Sequence, residues 1–111
     1  LKAACQALWH EDLKLMVVTR GCAGCVYFTP SFTGMVESFT VEAVDATGAG
    51  DGFVAGLLQG LLADPTLIQN ETRLRELCRF ANAVGALATT ERGAIPALPN
   101  QERVREFLRR Q

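Results

Sequence analysis

The densest chemical signal in the chain is the stretch Asp45-Ala-Thr-Gly-Ala-Gly-Asp51-Gly52, which puts three glycines and two acids into eight residues. Gly48, Ala49 and Gly50 leave their backbone N–H groups uncovered at what reads as the approach to a helix, and the helix dipole adds positive potential there. Such a turn holds an anion, most often phosphate. Asp51 is out of place in it, because its carboxylate repels a bound phosphate. One reason to keep an acid there is proton acceptance beside a transferring phosphoryl group, where an Asp takes the proton of the attacking hydroxyl. The other reading is Asp51 as a helix cap in a glycine-rich turn. Two nucleotide-loop patterns fail on spacing. No Lys-Ser or Lys-Thr follows the second glycine, as a P-loop needs, and Phe53 stands where the Rossmann fingerprint needs its third glycine.

The elements that must position this stretch can be read from periodicity. Residues 1–10 place Leu1, Ala4, Cys5, Leu8 and Trp9 at helical spacing. Leu15 to Thr19 is an apolar run suited to a buried strand, Gly21 to Gly24 a turn, and Val26 to Thr29 a returning strand. Pro30 to Gly34 reads as a second turn. Val36 to Val44 reads as a third strand, with Phe39, Val41 and Ala43 on one face. A helix over Phe53 to Ala63 ends at Asp64-Pro65. Asn70 is suited to cap a long helix to about Ala88, whose buried stripe is Leu74, Leu77, Cys78, Ala81, Val84, Gly85 and Ala88. Thr89 to Pro99 holds two prolines and a glycine and is expected to be irregular. Asn100 then caps a last helix carrying Val104, Phe107 and Leu108.

Composition narrows the function classes. The 111 residues are enough for one domain and too few for two. Hydrophobic residues make up 49% and charged residues 21%, which excludes a disordered chain. Lys plus Arg number 11 against 12 Asp plus Glu, so no polybasic field exists for nucleic acid or an anionic membrane. No apolar run approaches the ~20 residues of a membrane span. Cys22-Ala-Gly-Cys25 has CxxC spacing but lies between strand-like runs, without the helix start that activates a redox thiol. An incidental hairpin pair is the expected reading, with redox or metal binding as the alternative. His10 is the only histidine, too few partners for a zinc site. Cys5 and Cys78 are expected in apolar helical faces. Four cysteines without a disulfide-rich pattern fit a reducing cytoplasm, or a plastid if a transit peptide once preceded the chain. The sequence opens on Leu1 inside a helical pattern, so a truncated N-terminus is expected.

Val44-Asp45-Ala-Thr-Gly-Ala-Gly-Asp51-Gly52-Phe53 resembles the second signature of the PfkB (ribokinase-like) sugar kinases. Val17-Val-Thr19-Arg-Gly21-x-x-Gly24 is similar to the strand–turn–strand that precedes it in that family. Phe80-Ala-Asn82-Ala and Gly93-Ala-Ile-Pro-Ala-Leu-Pro99 are similar to the segments that follow. The resemblance covers nearly the whole chain and is strongest to plant-type fructokinases. It implies an α/β fold, as the C-terminal, nucleotide-binding part of a Rossmann-like three-layer α/β/α sandwich. Residues 1–111 would then be the C-terminal part of a single kinase domain.

The resemblance also implies roles. Asp51 becomes the catalytic base for a sugar hydroxyl, and Gly48, Ala49 and Gly50 the anion hole for the ATP phosphates. Thr19, Gly21 and Gly24 line the nucleotide site, with Asn82 beside the adenine; a surface helix position is the alternative for Asn82. A monovalent cation, usually potassium, would use the Asp45 carboxylate and the carbonyls of Thr47, Thr89, Arg92 and Ala94; an Asx-turn is the alternative for Asp45. Mg²⁺ accompanies the ATP. The expected reaction is ATP-dependent phosphorylation of fructose to fructose 6-phosphate, with ribose, adenosine or another ketose as alternative acceptors. A non-catalytic fructokinase-like protein and a partial product that never folds are the rivals. The expected partners are ATP and the sugar, without nucleic acid or membrane, with room for a homodimer. Ala46 stands where the family often has Thr, and Cys22 and Cys25 replace residues usually polar or small. The family's sugar-binding residues lie mainly N-terminal to the stretch matched here, so the chain alone is expected to lack kinase activity.

Overall fold

The computed structural model describes residues 2–9, 11–39, 41, 48–90 and 101–111, with the side chains of Lys2, Ala3, Cys5, Cys22 and Gln101 excepted. Helix α1 spans Lys2–Leu8. Strands β1 (Met16–Thr19), β2 (Cys25–Phe28) and β3 (Thr33–Val36) follow, then helices α2 (Ala49–Ala63), α3 (Glu71–Ala88) and α4 (Gln101–Arg109). A short 3₁₀ turn, Pro65–Gln69, joins α2 to α3.

The strands form an antiparallel meander in the order β1-β2-β3. The first hairpin turns through Gly21–Ala23 and returns at Gly24, whose φ of 96° suits glycine. The second turns earlier than expected. Thr29 closes it by donating its N–H to the Phe32 carbonyl at 2.8 Å, while its Oγ1 accepts from the Ser31 and Phe32 N–H groups. The third strand is therefore Thr33–Val36, not Val36 to Val44. Residues 37–39 and 41 carry no regular structure, and 40 and 42–44 lie outside the described residues. Gly34 is a strand residue because the Tyr27 hydroxyl fills the place of its side chain: a Cβ there would be 2.3 Å from that oxygen.

The helix expected from Phe53 starts at Ala49. Gly48 precedes it in the left-handed region (φ 91°) and accepts from the Gly52 N–H at 2.8 Å, so the glycine-rich stretch is itself the opening turn of α2. At the other end the Asp64 carboxylate accepts from the Thr66 N–H and hydroxyl at 3.0 and 2.6 Å and pairs with Arg73 at 2.8 Å. The α3 reading holds closely. Asn70 caps the helix by accepting from the Arg73 N–H at 3.2 Å, and every residue of the expected stripe is buried.

Two apolar clusters share α3. Its first three turns pack Leu74, Cys78 and Ala81 against Cys25, Tyr27, Val36 and Phe53. Its C-terminal half packs Ala83, Val84 and Leu87 against Val104 of α4, with Phe39, Phe80, Phe107 and Leu108 at the margin. Tyr27 is fully buried and its hydroxyl donates to Glu71 Oε2 at 2.8 Å while accepting from Arg75 Nη1 at 3.0 Å. Burial first, then the Glu71 carboxylate, push its phenol above the ordinary range.

Candidate active site

A cleft of about 400 Å³ opens where four segments meet. The first hairpin turn supplies Thr19, Gly21 and Gly24, and the segment after β3 supplies Ser38, Phe39 and Val41. The opening of α2 supplies Ala49, Gly50 and Phe53, and the end of α3 supplies Asn82, Gly85, Ala86 and Thr89. Close packing of α2 on α3 holds the two helices at this distance. A Cβ on Gly56 would lie 3.1 Å from Ala81 Cα, and one on Gly85 would lie 2.8 Å from the Ala49 carbonyl oxygen. The first turn of α2 thus rests directly on the α3 backbone, with its free N–H groups at the cleft.

Of the residues singled out for the nucleotide, Thr19, Gly21, Gly24, Ala49, Gly50 and Asn82 all line this one cleft. Gly48 immediately precedes Ala49. Asp51 is the third residue of α2 and is exposed, and its carboxylate has no hydrogen-bond partner among the described residues, so it is not serving as a cap. Asn82 is not on the surface. It is 5% exposed, and its Nδ2 donates at 3.2 Å to both the Val36 and Glu37 carbonyls, bracing α3 against the end of β3.

The proposed cation ligands Asp45, Thr47, Arg92 and Ala94 lie outside the described residues. Thr89 is buried at the end of α3, where its N–H and hydroxyl both bond to the Ala86 carbonyl. Helix carbonyls run out of partners at such an end, which suits a hard cation. No group of three His, Cys, Asp or Glu that could hold a metal occurs among the described residues. No described helix is long and apolar enough to cross a membrane.

Sequence reasoning missed Ser38, Phe39, Val41, Phe53, Gly85 and Ala86 as cleft residues. Its alternation with neighbours predicts a strand face for Phe39. It is set instead by the edge of Phe107 at 5.0 Å between ring centroids and by the Arg79 guanidinium at 4.7 Å over its ring.

Solved structures with the ribokinase-like α/β fold superpose on this arrangement. A fructokinase from Vibrio cholerae O395, solved with fructose, ADP and calcium ion, matches 97% of the chain at a TM-score of 0.87 and 39% identity. A fructokinase from Xylella fastidiosa with bound ATP matches 99% at a TM-score of 0.89 and 32% identity. The pfkB family carbohydrate kinase description matches residues 1–101, so the chain belongs to the pfkB family. Among curated relatives, probable fructokinase-3 of Arabidopsis thaliana is 54% identical over 105 residues, 95% of this chain. The chain spans 30% of that relative's length, and 35% and 36% of the two solved chains.

Proposed function

We propose that the chain is the C-terminal, nucleotide-binding part of an ATP-dependent sugar kinase, with fructose to fructose 6-phosphate as the reaction. The observation that carries this reading is the single cleft in which the hairpin turn, the opening of α2 and the end of α3 converge. The N–H groups of Gly48, Ala49 and Gly50 hold phosphate oxygens, and the nucleotide extends past Thr19, Gly21 and Gly24. Asp51, exposed at the same turn, accepts the proton of the sugar hydroxyl as the phosphoryl group transfers. Mg²⁺ would neutralise the phosphates, and Thr89 together with Asp45, Thr47, Arg92 and Ala94 would supply the oxygens for a potassium ion. Asn82 acts through its brace on the cleft wall, since its amide is already committed to two carbonyls.

The test uses the chain alone and a hybrid in which it replaces the matching third of the Arabidopsis relative, each assayed with ATP, Mg²⁺, K⁺ and fructose. The chain alone is expected to bind ATP without releasing ADP in response to fructose. The hybrid is expected to turn over and to lose about 10²- to 10⁴-fold in kcat on Asp51→Asn, the usual contribution of a general base. A chain that binds no ATP, or a hybrid that keeps full activity without the Asp51 carboxylate, refutes the reading.

A further inference from the structure

Phe39 belongs to two places at once. It lines the cleft, and it packs at the margin of the apolar cluster that α3 shares with α4. It is half-buried and sits in a segment without regular structure, so no ladder or helix fixes its ring. Two side chains do. Phe107 of α4 meets the ring at 5.0 Å between centroids and an interplanar angle of 80°. Arg79, exposed on α3, holds its guanidinium carbon 4.7 Å from the ring centre. Both stand behind the cleft wall rather than in it.

The cleft offers two kinds of surface. The N–H groups at the opening of α2 suit phosphate oxygens. Phe39, Val41, Phe53 and Ala86 give an apolar wall, and no described lining residue carries a charge. A flat heterocycle gains from such a wall, and most of all from an aromatic ring held ready for it. We propose that the base of the bound nucleoside triphosphate stacks against Phe39, and that Arg79 and Phe107 are positioning residues that fix this ring from α3 and α4. The proposal rests on the reading of the cleft as a nucleotide site. Without either support the ring samples other rotamers, and the base must order it on binding. The phosphates, held by backbone at the start of α2, do not depend on these two side chains.

The test titrates ATP and inorganic tripolyphosphate, each with Mg²⁺, into the chain by calorimetry, with urea unfolding alongside. Phe39→Ala should weaken ATP about 5- to 150-fold, the span of one base–aromatic stack. Phe39→Leu, which keeps apolar bulk and removes the ring, should move the same way and decides the matter if the alanine variant fails to fold. Arg79→Gln and Phe107→Leu should each weaken ATP about two- to tenfold. Arg79→Lys, which keeps a cation over the ring, should recover most of what Arg79→Gln loses. Tripolyphosphate should bind all of these as it binds the wild type. Wild-type ATP affinity in Phe39→Leu, or in both Arg79→Gln and Phe107→Leu, overturns the proposal. So does equal weakening of ATP and tripolyphosphate, the mark of a cleft wall that has simply collapsed. A wild-type chain that binds the two ligands equally tightly leaves the phosphate site standing and removes the base contact. One that binds neither refutes the nucleotide reading itself, and this inference with it.

Discussion

Gly85→Ala separates the placement of the α2 opening turn from the stability of the fold. A Cβ at residue 85 would stand 2.8 Å from the Ala49 carbonyl oxygen, with Phe53 N at 3.6 Å behind it. That contact has to open by about half an ångström before it ceases to be repulsive. Two effects on stability oppose each other. Alanine in a helix interior is favoured over glycine by about 1 kcal/mol, while overpacking costs typically ~1–3 kcal/mol. The net loss is therefore about 0–2 kcal/mol, and the variant should fold. The atoms that move, however, belong to the turn whose N–H groups face the cleft. A hydrogen bond to a charged group is worth about 1.5–3 kcal/mol, so weakening one by half reduces ATP affinity about four- to thirteen-fold.

The control for that experiment is Gly60→Ala. Its Cβ would meet Leu77 Cδ1 at 2.2 Å, the tip of a flexible side chain far from the cleft. It should lose comparable stability and bind ATP as the wild type does. Calorimetric ATP titration and urea unfolding read the two quantities independently. Wild-type ATP affinity in Gly85→Ala, or equal weakening in Gly60→Ala, would refute the idea that α3 positions the phosphate turn.

Three further outcomes are expected. Gly24→Ala should abolish cooperative unfolding or cost at least ~3 kcal/mol, because φ is 96° there and a Cβ would fall 2.0 Å from the Val36 carbonyl; a urea midpoint within error of wild type would contradict this. Asn82→Ala should cost about 1–2 kcal/mol by removing its two hydrogen bonds to the Val36 and Glu37 carbonyls; weaker ATP binding at unchanged stability would instead make Asn82 a base contact. The Asp64 carboxyl is held below its ordinary 3.8 by the Thr66 hydroxyl and N–H and then by Arg73. A lowered folded value stabilises above the unfolded one and is lost as pH falls through it. Asp64→Asn should therefore lower the melting temperature near neutral pH and converge on wild type in acid, and a gap that persists or widens below pH ~3 would contradict this sign.

Much of this architecture is legible in the residues, and the exceptions share a cause. Asn70 followed by Leu74, Leu77, Cys78 and Ala81 specifies α3 because cap and stripe are both local signals. The glycines mislead because their reason is often a distant neighbour. Gly34 reads as a turn residue but is emptied by the Tyr27 hydroxyl, and Gly56, inside the helix expected over Phe53 to Ala63, admits Ala81. Gly48 and Gly50 read as the approach to a helix that is regular from Phe53, yet Gly48 alone turns left-handed and the helix begins at once at Ala49. For the site, residues with a family counterpart were found, whereas Phe39, Phe53 and Gly85 give no local sign of facing a cleft. Only the fold brings them to it.

Helix α3 is an 18-residue rod, about 27 Å long. Its first three turns complete the cluster that holds the hairpins, and its second half completes the one that holds α4. Neither cluster can melt alone, because the wall each would leave exposed is the wall the other depends on. The two cores are thus one cooperative unit, in which opening at the sheet is felt at the C-terminal helix. The chain's most protected amides belong midway along α3, at the join between them.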